Sequence, residues 1–259
     1  MEDIETYIEQ LDNKDDKIRQ HAFYSLKKSK DSEKFEKFKK ILTNNSSSQK
    51  RASAALLLGE WKNSISINIL LSSLSDTDLE VRRAVVKSLA TSGSNEIEET
   101  LIELLKDQDW LIRNLALSGL QKIGSKEFLP KALEFLNDSQ IEVRKCASIL
   151  LGWSQSSEAA IALSKLLLTD KSSEVREATA KSLGQIKNVD SLSSLLLALN
   201  DPDTSVKNSA IVSLGYIGSP EIIPVLEEKA KTDSSETNWG WKTKDAANSA
   251  IKYIKKRYS

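Results

Sequence analysis

Along the chain an aliphatic residue followed by a basic one recurs at Ile18-Arg19, Val81-Arg82, Ile112-Arg113, Val143-Arg144, Val175-Arg176 and Val206-Lys207, with Lys50-Arg51 as a weaker member. Successive basic residues stand 32, 31, 31, 31, 32 and 31 positions apart. Three residues after each comes Ala22, Ala54, Val85, Ala116, Ala147, Thr179 or Ala210, and seven after it comes Leu26, Leu58, Leu89, Leu120, Leu151, Leu183 or Leu214. Positions −1, +3 and +7 fall on one face of an α-helix. A small residue at +3 lets a neighbouring helix approach, and the Leu at +7 fills the space beside it. A fixed period of this length is the signature of stacked supersecondary units, each too small to bury its apolar face alone.

Each period predicts two helices. The first carries the aliphatic-basic pair and stops at a glycine, Gly59, Gly93, Gly124, Gly152, Gly184, Gly215 or Gly218, expected as left-handed caps. The second opens with its own start signals, best seen at Ser219-Pro220-Glu221, and closes on an acidic turn at Asp76, Asp107, Asp138, Asp170, Asp201 or Asp233. Thr77 with Glu80 and Ser139 with Glu142 have the spacing of capping boxes for the next first helix.

The pattern Asp-x-x-x-Glu-Val-Arg…Ala…Leu-Gly-x-Ile resembles the HEAT-repeat superfamily, and most closely its short PBS-lyase-type HEAT-like repeats, over roughly Asp15 to Asp233. The expectation is therefore an all-α, right-handed α-solenoid of about seven hairpins forming one repeat domain over 1–259. Its repeats are placed near 12–43, 44–75, 76–106, 107–137, 138–169, 170–200 and 201–233, with a C-terminal cap over 234–259. The first repeat departs from the pattern with a basic second helix holding Lys34, Lys37, Lys39 and Lys40. The last departs through an insertion from Ser234 to Gly240, after which Lys244 to Arg257 reads as one terminal helix with Ala247, Ala250, Ile251 and Ile254 inward. Both ends read as polar caps.

Composition narrows the function classes. Thirty-seven basic and 37 acidic side chains cancel, so no overall field draws the chain to nucleic acid or an anionic membrane. One cysteine, Cys146, and one histidine, His21, supply neither a disulfide nor a usual zinc cluster, and neither has a catalytic companion. The acidic start and the short apolar runs predict no secretory signal and no membrane span, hence a soluble, cytoplasmic protein without metal or cofactor. Within HEAT-type relatives, di-iron hydroxylases need several His-Glu pairs, which one histidine excludes. Alkylpurine DNA glycosylases need a basic cleft with aromatic and carboxylate residues converging on a flipped base, and Trp110 beside Asp109 is a faint echo of the latter pair, against which the cancelling charge stands.

The recurrent basic residues are read as an inter-repeat ladder with the aspartates, since Arg favours bidentate carboxylate pairing. Trp61, Trp110 and Trp153 are read as packing residues at helix ends. The resemblance implies that second helices line the concave face, and the polar candidates there are Glu96, Glu99 and Glu103, Lys131 and Glu134, Lys165, and Glu227 and Glu228. Trp239 and Trp241 flank Gly240 in the insertion and are candidate partner anchors. With no phosphate loop, nucleophile constellation or metal cluster, the leading expectation is a protein-binding scaffold or adaptor rather than an enzyme. The alternative implied by the resemblance is a phycobilin lyase-like or chaperone-like factor acting on a cofactor-bearing protein.

Overall fold

The structure, a computed structural model, describes residues 4–28 and 30–259. Among these residues the chain is helical, with sixteen α-helices and one isolated β-bridge, Glu236 to Lys242. It folds as two compact units, 1–125 and 126–259. The first holds α1 (Ile4–Gln10), α2 (Asp16–Lys27), α3 (Ser32–Asn44), α4 (Ser48–Leu58), α5 (Ser64–Ser72), α6 (Leu79–Ser92), α7 (Glu98–Leu104) and α8 (Trp110–Ile123). The second holds α9 (Phe128–Phe135), α10 (Ile141–Gly152), α11 (Ser157–Thr169), α12 (Ser173–Ile186), α13 (Leu192–Leu197), α14 (Thr204–Ile217), α15 (Ile223–Thr232) and α16 (Thr243–Tyr258).

The helices carrying the aliphatic-basic pairs are α2, α4, α6 and α8 in one unit and α10, α12 and α14 in the other, with α16 in the last such place. Every +3 and +7 residue of the pattern is buried, from Ala22 and Leu26 to Ala210 and Leu214. Each buried leucine contributes roughly 1.5–3 kcal/mol of transfer free energy, so this face holds the layers together. Ile18, in the first repeat, is the −1 aliphatic that stays exposed. In the terminal helix Ala247, Ala250, Ile251 and Ile254 are buried, as their spacing predicts.

The glycines divide into two jobs where the sequence suggested one. Gly93 and Gly124 end their helices with φ of 77° and 70°. Gly59, Gly152, Gly184 and Gly215 instead sit where two first helices touch. A Cβ on Gly184 would meet the Ser213 Oγ at 2.5 Å and its Cβ at 2.8 Å, and one on Gly59 would meet the Ser88 Cβ at 2.6 Å. Gly218 is extended, with φ −74°. The left-handed residue in the other turns is Lys62, Gln155 or Lys187, with φ between 51° and 57°. These three stand eleven residues after their basic residue, as Gly93 and Gly124 do. The capping boxes also differ from expectation. Asp78 caps α6 by accepting from the Glu80 and Val81 N–H groups, and α10 starts at Gln140 with no side-chain cap.

The ladder between repeats forms, and each guanidinium does two things in it. Arg51, Arg144 and Arg176 donate through Nη1 to the carbonyls six and five residues earlier, tying down their own turn. Through Nε and Nη2 they form bidentate bonds with Asp76, Asp170 and Asp201 of the next turn, at 2.7–3.0 Å. Lys207 reaches Asp233 at 2.9 Å. In the third repeat the two tasks separate, because Arg82 binds its own turn and the adjacent Arg83 makes the bidentate bond to Asp109. Hydrogen bonds from Arg51 and Arg83 hold the Asp76 and Asp109 carboxyls below the usual range. Burial works to raise the Asp170 and Asp233 carboxyls, but their hydrogen bonds outweigh it, and Asp233 lies at about 2.

Candidate functional site

First helices touch backbone to backbone, through Gly59 on Ser88, Gly119 on Ala90, Gly152 on Ser182, Gly184 on Ser213 and Gly215 on Ala250. Buried hydroxyls bridge them: Ser88 donates to the Ala55 carbonyl at 3.0 Å and Ser213 to the Ala180 carbonyl at 2.7 Å. Second helices meet far more sparsely, α9 with α11 and α11 with α13 touching at few points. A stack whose layers are closer on one side bends toward that side, so within each unit the first helices form the inner surface. The acidic candidates on second helices therefore lie where the layers spread apart, a correction to their assignment to the concave face.

Glu99 and Glu103 are exposed on α7, and Glu96 is exposed in the 3-10 turn before it, accepting from the Ser64 hydroxyl at 3.2 Å. Lys131 and Glu134 pair with each other at 2.9 Å across one turn of α9. Lys165 is exposed on α11 beside a shallow depression of about 210 Å³. Glu227 stands 3.9 Å from Lys255 and lines a polar depression of about 760 Å³ with Lys231, Asp233, Glu236 and Lys242, while Glu228 is exposed. In the N-terminal cap, the Lys37 ammonium is held above its usual range by the hydrogen bonds it donates to the Glu33 and Glu5 carboxylates. Trp61 packs edge-on against Phe35 and Phe38, whereas Trp153 is 62% exposed and is not a packing residue. His21 stacks edge-on with Tyr7.

The insertion is a tight, pinned turn. The Thr237 N–H donates to the Trp241 carbonyl at 3.0 Å, the Gly240 N–H to the Thr237 carbonyl at 2.9 Å, and the Trp241 N–H to the Thr237 hydroxyl at 3.1 Å. From α14, the buried Asn208 amide donates to the Trp241 carbonyl at 3.1 Å, and Lys207 donates to the Ser235 hydroxyl at 2.8 Å. Gly240 takes φ 78°, which closes the turn. Trp241 is 41% exposed at its base, and Trp239 at its tip is 94% exposed.

On the inner surface of the first unit, α4, α6 and α8 enclose a groove of about 410 Å³. Its floor is apolar: Ala52, Leu56, Ala84, Leu111 and Leu115. Its rim is Gln49, Glu80, Arg83 and Lys87. Arg83 is fixed there by Asp109 and by Glu80 at 2.6 Å. In the sequence Glu80 stood out only as a capping-box residue, and none of the groove residues as a binding candidate. Their signal lies one to two residues on either side of the basic position and again at +5, where Leu56 and Lys87 stand. An apolar floor under a charged rim suits a side chain or a short segment of another protein. Among the described residues no three His, Cys, Asp or Glu side chains gather as metal ligands would. None of the helices among the described residues is long and apolar enough to cross a membrane.

Comparison with known proteins places this geometry. A profile of HEAT repeats matches residues 35–106, 97–184 and 162–239. A search of curated proteins finds no match by sequence. Among solved structures, YibA of Escherichia coli is 20% identical over 98% of this chain and 93% of its own, with a TM-score of 0.73. The complex of CpcE and CpcF of phycocyanin lyase from Nostoc is 19% identical over 98% and 95%, at 0.50. Kap95p, seen bound to RanGDP, is 14% identical over 97% of this chain and 42% of its own, at 0.63. At these identities the likeness is one of fold.

Proposed function

Because the chain belongs to the HEAT-repeat family, we propose that it is a protein-binding scaffold that engages its partner on the inner, first-helix surface of its units. One observation carries this reading: the groove across α4, α6 and α8, where three successive repeats contribute an apolar floor and a charged rim. A surface built by stacking repeats is extended and spans several layers at once, which suits an adaptor. Kap95p bound to RanGDP and CpcE bound to CpcF are chains of this fold in protein complexes, and they support the class of partner only. The likeness to phycocyanin lyase points to no residue here, so a cofactor-handling role acquires no site.

The test is affinity purification of the tagged chain from its native source, with mass spectrometry and a visible absorbance scan of the eluate. Lys87→Glu reverses the groove rim at an exposed position, and Glu99→Lys with Glu103→Lys reverses the second-helix face. The reading predicts that the first change removes the partner and the second does not, with both melting temperatures unchanged. Loss through the second change alone would return the site to the second helices. A coloured eluate would favour the cofactor-handling role.

A further inference from the structure

The groove across α4, α6 and α8 has one end whose charges are spent and one whose charges are free. At the end nearer the helix starts, Glu80 lies 2.6 Å from Arg83, and Arg83 is held at 2.5–3.0 Å by both Asp109 carboxylate oxygens. These groups have little left to offer a ligand. One turn further along α6 stands Lys87, exposed on the rim. Four residues beyond it on the same face, the Thr91 carbonyl accepts from the Lys122 ammonium of α8 at 2.8 Å, and Lys122 is also exposed. Among the described residues neither Lys87 nor Lys122 is ion-paired. Other cations of these helices and of α2 are taken up, Lys27 by Glu60 at 2.8 Å and Lys50 by Asp12 at 3.3 Å. The free charge beside the floor of Leu56, Leu111 and Leu115 is therefore positive.

We propose that the groove takes a short segment of a partner protein in which aliphatic side chains stand beside carboxylates, the aliphatic ones over the floor and the carboxylates on Lys87 and Lys122. The inference rests on the groove reading above and adds the chemistry of the occupant. Three helices at about 8–10 Å spacing set a span of roughly 16–20 Å, which about six extended residues cross at roughly 3.3 Å each. The floor supplies affinity without regard to sign, since apolar burial is non-directional. The sign is read by the two ammonium groups, because a basic segment would set like charges together with no free carboxylate between them. An exposed ion pair contributes little by itself. The lysines therefore choose among apolar segments rather than bind any acidic one.

Panning a displayed library of random octapeptides on the intact chain tests the proposal, with Lys87→Glu and Leu56→Glu panned in parallel and the fold of each variant followed by circular dichroism. Wild type is expected to enrich peptides that place Asp or Glu within a few residues of two or more aliphatic ones. Lys87→Glu is expected to lose that acidic preference and to bind the best wild-type peptide roughly fivefold more weakly in fluorescence anisotropy. The same peptide with lysines in place of its carboxylates should then bind Lys87→Glu better than wild type. Leu56→Glu is expected to enrich no aliphatic peptide, with Leu56→Ser standing in should it unfold. Enrichment of basic peptides by wild type, or of acidic ones that Lys87→Glu binds as tightly, would overturn the inference. Aliphatic peptides without a charge preference, lost in Leu56→Glu, would remove the inference and leave the groove reading standing. Enrichment indifferent to Leu56→Glu, or none at all, would remove both.

Discussion

Replacing Arg176 by methionine separates the ladder from ordinary surface charge. The guanidinium makes four hydrogen bonds, two to Asp201 at 2.7 and 2.9 Å and one each to the Asp170 and Lys171 carbonyls at 2.9 and 3.3 Å. The two side chains are only 12% and 8% exposed. Methionine keeps most of the apolar stem but leaves Asp201 with the Asp203 N–H as its remaining hydrogen bond. Stranding one partner of a buried pair costs about 3–5 kcal/mol, and residual exposure puts this site near the lower end, about 3 kcal/mol. Adding Asp201→Asn removes the stranded charge while its amide oxygen still serves the Asp203 N–H. The double variant should therefore recover about 1–2 kcal/mol of the loss. The control is Lys181→Ala, whose ion pair with Glu177 joins side chains 59% and 32% exposed and should cost less than about 0.5 kcal/mol. Urea unfolding followed by far-ultraviolet circular dichroism reads the stabilities. Hydrogen exchange locates the loss to α12 and α14, since repeat arrays open locally. The reasoning fails if Arg176→Met costs no more than Lys181→Ala, or if the double variant is less stable than the single one.

Three further outcomes follow from the packing. Gly184→Ala should cost about 2 kcal/mol in urea melts, because the new methyl meets the Ser213 Cβ at 2.8 Å and Cα at 3.1 Å, which rotation of the hydroxyl does not relieve. Gly93→Ala should cost nearer 1 kcal/mol, since there the penalty is positive φ rather than collision. The depressed Asp76, Asp109, Asp170 and Asp233 carboxyls contribute stability that is complete above their unfolded pKa near 3.8 and is lost as pH falls toward their folded values, about 2 for Asp233. Thermal melts should accordingly drop between about pH 4 and pH 2, and Asp233→Asn should differ from wild type at pH 7 but converge with it at the acid end. A melting temperature flat across that window would contradict the ladder.

Much of the fold was legible because one helix face repeats unchanged: the residues at +3 and +7 are buried in every repeat, whatever surrounds them. Glycine was harder to read. Gly93 relieves positive φ and Gly184 admits a neighbouring backbone, and a sequence shows the same letter for both. Lys62, Gln155 and Lys187 take the left-handed turn without any compositional sign, because the turn is imposed by the helices on either side. Likewise Arg82 and Arg83 are equivalent in sequence, and only the reach to Asp109 decides which one joins the ladder. The inner surface was misassigned because the direction of bending is a property of summed helix spacings. Leu56 and Leu111 looked like ordinary apolar positions until α4, α6 and α8 were placed side by side.

The central claim is that partners meet the first-helix surface. The most direct measurement installs a photo-crosslinking amino acid at Lys87, on the groove rim, and separately at Glu103 on α7, both exposed positions. Illumination in a native extract is predicted to trap a covalent protein adduct from position 87 and none from position 103. An adduct from position 103 alone would place binding on the second helices and contradict the account.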